Sequence, residues 1–257
     1  MIKNLISENF SPEHIAKEIK TLDMTAQVNQ LISDLNSQPS FAKTPSRRAT
    51  IMNISNPHTG TLLLHCTSIG NISIRTTTPD SALSPLYSVP GQSVLFALDQ
   101  PYEVQLYMRH EQQLEQLDRV IVNQQNPLII DGSRTLFDYA PTGLEAARLT
   151  GRINLLDRSA DISVFDRVSL QKVAWMPHDE SAARFLVSLE LLETLGDPGG
   201  SKVAEELIYH YHPAVAWKAF QLLYQAAPHK ALNYVPLLRK LKNPRLDNLL
   251  SPLEKAA

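Results

Sequence analysis

A chain of 257 residues with 43% hydrophobic and 19% charged side chains can bury a real core in one large domain or two modest ones, which excludes a disordered protein. Its net charge of −2 gives no global basis for binding DNA or an anionic membrane, and Cys66, the sole cysteine, excludes an internal disulfide and a cysteine-based zinc cluster. The first twenty residues lack a long apolar core and a cleavage site, and no window approaches the ~18 apolar residues of a membrane span, so a soluble cytoplasmic protein without a membrane partner is expected.

Residues 1–40 read as N-terminal helices. In "SPEHIAKEIKTL", Ser11 stands at the N-cap and Pro12 at the first helical position, where its missing N–H costs nothing. Ile15, Ile19 and Leu22 then share a face, and Met24, Val28, Leu31, Ile32 and Leu35 continue the helical spacing. Two short amphipathic helices cannot stand alone and must pack on something else. The following "NSQPSFAKTPSRR", rich in Pro and Ser, reads as a linker or long loop.

Residues 45–176 read as a β domain. "TLLLHC", "NISIRTTT", "SVLFAL", "YEVQLYM", "ARLTGRI" and "DISVFDRVSLQKVAWM" are short apolar-rich runs at regular spacing without long helices between them, a pattern of an antiparallel sandwich or small barrel. "EQQLEQLDRV" reads as a helical turn or a polar strand, and Asp131-Gly132 predicts a hairpin turn. Residues 178–257 return to helical spacing. With an offset of 31 residues, Phe185, Leu189 and Leu192 fall on Ala216, Phe220 and Leu223, and Pro213 falls on Pro244. A helix pair repeated about two and a half times is the mark of an α-solenoid.

"ARFLVSLELLETLGD" and "HPAVAWKAFQLLYQ" resemble the HEAT-type helical repeat, although the Arg usual two residues after the Val is replaced by Trp217. "VPGQSVLFAL" resembles the Pro-x-Gly turn and following strand of the second cupin motif; Val94 stands where that motif has its metal-binding His, and the first motif's His-x-His is missing. The resemblances imply an α+β chain: N-terminal helices, an antiparallel β-barrel or sandwich of cupin-like type, then a short HEAT-like α-helical repeat. The combination also resembles proteobacterial proteins, a likeness that implies no particular activity.

Candidate chemistry is sparse. His210 and His212 in "HYHPAVAW" share a face only in a strand; before Pro213 they are better read as the turn between two helices, with His212 as a cap. "HEQQLEQLD" has Leu114 where a zincin needs its second His. Asp179 or Ser181 in "PHDES" reads as a helix N-cap, and Cys66 as a buried, inert thiol. With 9 glycines and no phosphate-binding loop, a nucleotide enzyme is not expected. One enzyme reading stays open: His58, His65 and His110, with Glu103 or Glu111, converging inside a barrel on a divalent transition metal, as in a cupin-like oxygenase or isomerase. The competing reading needs no cofactor: an interior with Tyr87, Phe96 and Tyr107 holds a small apolar ligand. From residue 208 to 245 there is no Asp or Glu but six cations, Lys218, Lys230, Arg239, Lys240, Lys242 and Arg245. Such a face suits an acidic protein partner, and less well nucleic acid, because no aromatic residues interleave the cations as a stacking platform. An open sheet edge also allows a homodimer. The preferred expectation is a non-catalytic interaction or small-ligand-sensing protein.

Overall fold

The structure, a computed structural model, describes residues 2–8, 10–56, 60–77, 85–139, 148–157 and 160–256. It divides into two compact units, Met1–Asp157 with Ile162–Trp175, and Arg158–Asp161 with Met176–Ala257. Both helices and antiparallel sheets are present, and no described helix is long and apolar enough to cross a membrane.

The first unit begins with a 3-10 turn, Ile2–Ile6, followed by α1 (Pro12–Thr21) and α2 (Met24–Asn36). Ser11 accepts from the His14 N–H and Asp23 from the Ala26 N–H, so each helix start is closed by a side chain. Ile15, Ile19, Met24, Val28 and Leu31 are buried, as their spacing predicts. The stretch expected as a linker is instead helical: α3 (Pro39–Ala42) and α4 (Thr44–Ile54) each carry Pro in the first turn, where proline starts a helix rather than breaks it.

The strands follow in order: β1 (Ser55–Asn56), β2 (Thr61–Cys66), β3 (Gly70–Thr77) and β4 (Leu86–Tyr87). Then come β5 (Gly91–Ala97), β6 (Tyr102–Arg109), β7 (Leu114–Val122) and β8 (Leu128–Asp131). The series ends with β9 (Thr135–Tyr139), β10 (Arg148–Leu156), β11 (Asp161–Phe165) and β12 (Lys172–Pro177). They form a six-stranded sheet ordered β1-β2-β3-β10-β5-β8 and two three-stranded sheets, β7-β6-β9 and β12-β11-β4. None of these described sheets closes into a barrel.

The Asp131-Gly132 turn is not a hairpin. β8 pairs with β5 in the large sheet, whereas β9 pairs with β6 in a small one, so the turn carries the chain from sheet to sheet. Gly132 serves close approach: a Cβ there would lie 1.9 Å from the Val89 carbonyl oxygen. From Leu114 on, "EQQLEQLDRV" is strand, forming most of β7 paired along β6.

One face of the six-stranded sheet carries Leu64, Ile72, Ile74, Val94, Phe96 and Ile153 into a core shared with the 3-10 turn, α1 and α2. Thr25 Oγ1 donates to the Leu98 carbonyl at 2.7 Å and Thr67 Oγ1 to that of Ile6 at 2.8 Å, fixing the helical layer to the strands. The opposite face packs against the β7-β6-β9 sheet through Leu95, Ala97 and Ile130 on one side and Tyr102, Val104, Val122, Phe137 and Tyr139 on the other.

The second unit is helical: α5 (Glu180–Leu195), α6 (Gly200–Leu207), α7 (Pro213–Ala226), α8 (Pro228–Ala231), a 3-10 turn (Leu232–Tyr234), α9 (Val235–Arg239) and α10 (Pro244–Ala256). Asp179 caps α5 by accepting from the Ala182 N–H at 3.0 Å, and Gly196, at φ +61°, closes it. Central α7 packs on α5, α6, α9 and α10 around Val215, Ala216, Ala219, Phe220 and Leu223. The chain after α7 runs as three short helical pieces, α8, the 3-10 turn and α9, rather than one helix; Pro236 lacks the N–H that a continuous helix would use there.

Candidate functional site

Strand alternation makes the site. In β3 and β10, Ile72, Ile74 and Ile153 point to the helices, so Ser73, Arg75, Thr150, Arg152 and Asn154 point the other way, into the space before the β7-β6-β9 sheet. Register sets them in rows. Arg75 is opposite Thr150, Ser73 opposite Arg152, and Asn71 opposite Asn154, with Ala97, Leu95 and Ser93 continuing the rows on β5. Ser73, Ser93, Thr150 and Asn154 are all buried.

The asparagine row satisfies itself. Ser93 Oγ donates to Asn154 Oδ1 at 2.5 Å, and Asn154 Nδ2 donates to Asn71 Oδ1 at 2.7 Å. The arginine rows do not. The Arg75 guanidinium stacks over the Tyr139 ring, 4.5 Å from its centroid, and its buried Nε has no hydrogen-bond partner among the described residues. Burial pushes the Arg152 pKa below its ordinary value; the Arg75 charge adds to that push, while the Tyr139 and Tyr102 phenols oppose it. Among the described residues, neither guanidinium has an ion-pair partner. Tyr102 Oη donates to the Phe96 carbonyl oxygen at 3.4 Å, and burial pushes its pKa up, so the phenol stays protonated and supplies no counter-charge.

Both arginine side chains are half-buried, so water screens part of their charge and leaving them without an ion pair costs less than it does for a fully buried ion. The two guanidiniums thus place positive charge on one face of the sheet, beside hydroxyls that are already engaged: Thr150 Oγ1 donates to the Arg75 carbonyl at 3.3 Å, as Ser93 and Tyr102 donate to their own partners.

The sequence-predicted metal residues are placed apart from this region. His65 is half-buried on β2 opposite Ile72, where burial and the Lys3 charge hold its pKa low. His110 is exposed after β6, its Nε2 3.1 Å from Glu115 Oε2. His58 lies outside the described residues. Among the described residues no three His, Cys, Asp or Glu side chains come together as a metal-binding group. Cys66, expected buried, is exposed: a bulge between Leu63 and His65 shifts the alternation at the end of β2. Tyr87, Phe96 and Tyr107 line no common interior. Phe96 faces the helices, Tyr107 packs with Leu86, Leu114, Leu136 and Phe165, and Tyr87 is exposed.

His212 is the N-cap of α7, its Nδ1 accepting from the Ala214 N–H at 3.3 Å, and its own N–H donates to His210 Nδ1 at 3.0 Å. The two Nδ1 lone pairs thus serve the backbone. His212 Nε2 lies 3.8 Å from Asp161 Oδ1. Of the basic residues, Lys218 is held by Glu193 at 2.6 Å and Arg239 by Asp247 at 2.7 Å. The acids sit outside the acid-free stretch in sequence but beside it in the fold. Lys230, Lys240 and Lys242 are exposed, and the Arg245 side chain lies outside what is described.

Sequence reasoning missed Arg75 and Arg152. The signal was present in "NISIRTTT" and "RLTGRINLL", where one parity is apolar and the other mixes Ser, Thr, Asn and Arg. Such a parity ordinarily marks the solvent face, and only the helices covering the apolar side turn it inward.

No protein-family model matches the chain, and no curated protein does. Among solved structures it is similar to a hydroquinone 1,2-dioxygenase, crystallised with Cd2+ and 4-hydroxybenzonitrile, at 8% identity and a TM-score of 0.29 over 40% of this chain and 67% of that one. A likeness of that size carries no argument about activity.

Proposed function

We propose that the protein is a non-catalytic small-ligand-binding module, with its ligand held between the six-stranded sheet and the β7-β6-β9 sheet. The observation that carries this reading is the pair Arg75 and Arg152, inward-facing cations without an ion-pair partner among the described residues. Apart from the stacking of Arg75 on Tyr139, folding gains little from such a pair over apolar side chains of similar volume, which supports a binding role for it. The β unit is read as a distant cupin-like arrangement in which recognition replaces metal chemistry. The helical unit is read as a short HEAT-like repeat; alternation of the longer α5, α7 and α10 with shorter α6 and α8–α9 supports that. Exposed Lys230, Lys240 and Lys242 suit it to an acidic protein partner.

Thermal melting of the full chain against a panel of small acids, alcohols, amines and sugars tests the ligand reading. At least one class is expected to raise the melting temperature of the native chain and to lose that effect in Arg75→Met/Arg152→Met. A panel without effect on the native chain, or an effect retained by the double variant, contradicts it.

A further inference from the structure

The geometry points to a compact organic or inorganic dianion as the ligand, gripped jointly by Arg75 and Arg152. This rests on the ligand-binding reading above and narrows it to a chemical class. The two residues occupy adjacent rows on neighbouring strands, Arg75 opposite Thr150 and Arg152 opposite Ser73, so both rise from one face of the sheet, close enough for the Arg75 charge to act on Arg152. Three features set the charge of the occupant. Two guanidiniums bring two positive charges; burial keeps the bordering Tyr102 a phenol rather than a counter-ion; and no described acid forms an ion pair with either guanidinium. A neutral ligand leaves both charges uncompensated and a monoanion leaves one, whereas a dianion cancels them. The forked planar donors match carboxylate or phosphate oxygens in pairs, which fixes orientation as well as charge. Beyond Thr150 and Arg152 the rows continue with Ala97 and Leu95, small or apolar surface, so polar recognition concentrates at the charged head.

The test is isothermal titration of the full chain at neutral pH with succinate, inorganic phosphate and, as an uncharged isostere, succinamide. One or both dianions are expected to bind and succinamide is not, and the pattern distinguishes a carboxylate source from a phosphate one. Arg75→Met and Arg152→Met are each expected to weaken binding at least about 30-fold, while Arg152→Lys, which keeps the charge but loses the fork, falls between them and the native chain. Circular dichroism establishes that each variant is folded. Binding of succinamide as tight as that of succinate would overturn the dianion assignment and leave the ligand reading standing. Asp80 and Glu145 lie in stretches outside the described residues, and Asp80→Asn/Glu145→Gln separates an internal partner from an external one. Silence of both dianions with the native chain, together with binding that appears only in this acid-free variant, would overturn both readings at once, because the arginines would then answer the chain's own acids.

Discussion

The two units bury their interiors on opposite terms. The helical unit packs alanine, leucine, valine and Phe220 around α7, and His212, the buried polar side chain in that core region, is spent as a helix cap. The β unit buries Ser73, Ser93, Thr150 and Asn154 between sheets and adds two arginines to them. Both are cores by burial, but only the first is explained by burial. Apolar packing is non-specific chemistry that any well-fitting set of side chains supplies, whereas a hydrogen-bonded polar layer is costly unless something completes it. The proposed binding role therefore falls to the β unit, while the helical unit is accounted for by packing alone.

Substitutions sharpen that contrast, the largest effect coming from the helical core. Phe220→Ala is expected to cost about 3–5 kcal/mol in urea unfolding, leaving the ligand response of the β unit unchanged. Arg152→Met carries the opposite sign: removing a half-buried cation that lacks an ion-pair partner among the described residues is expected to stabilise the ligand-free chain modestly while abolishing binding. If it destabilised instead, the two interiors would not differ in kind. Gly132→Ala forces a Cβ against the Val89 carbonyl and is expected to cost about 1–3 kcal/mol, read as a lower melting temperature of the β unit.

Smaller effects follow at the helix starts. Asp179→Ala removes the α5 cap and is expected to cost about 1 kcal/mol. The pH response is smaller still. Burial, followed by the influence of His212, lowers the His210 pKa below 6.5, so in the window just under 6.5 the unfolded chain binds more protons than the folded one. Stability of the helical unit therefore falls as pH drops through that window, and His210→Asn is expected to flatten the dependence in melts between pH 7.5 and 5.

Much of the helical framework was legible because its signals are local. Ser11 and Asp179 mark helix starts through bonds spanning three residues, Pro12 and Pro213 through a fixed φ and a missing N–H, and the apolar stripe of α1 and α2 needs no knowledge of what it meets. Sheet partnership was not legible in the same way. Asp131-Gly132 has hairpin chemistry, yet its flanking strands belong to different sheets, because the glycine answers the nearby Val89 and Gly91 backbones rather than a turn angle. Charge counted along the chain is incomplete for a related reason: Glu193 and Asp247 pair with Lys218 and Arg239 from outside the acid-free stretch, while Lys230, Lys240 and Lys242 are exposed. The arginine pair was hidden most deeply. A polar parity on a strand says which residues share a face, and the α1–α2 layer that turns that face inward lies some fifty residues away in sequence from Arg75 and well over a hundred from Arg152.

The most direct measurement is urea unfolding of the native chain and of Arg75→Met/Arg152→Met, each with and without succinate and phosphate at millimolar concentration. The expected result is a crossed pair: the double variant more stable than the native chain without ligand and indifferent to both anions, and the native chain gaining stability when at least one is added. A double variant less stable by several kcal/mol, beside a native chain unmoved by either anion, would make the arginines structural and contradict the assignment of function to the β unit.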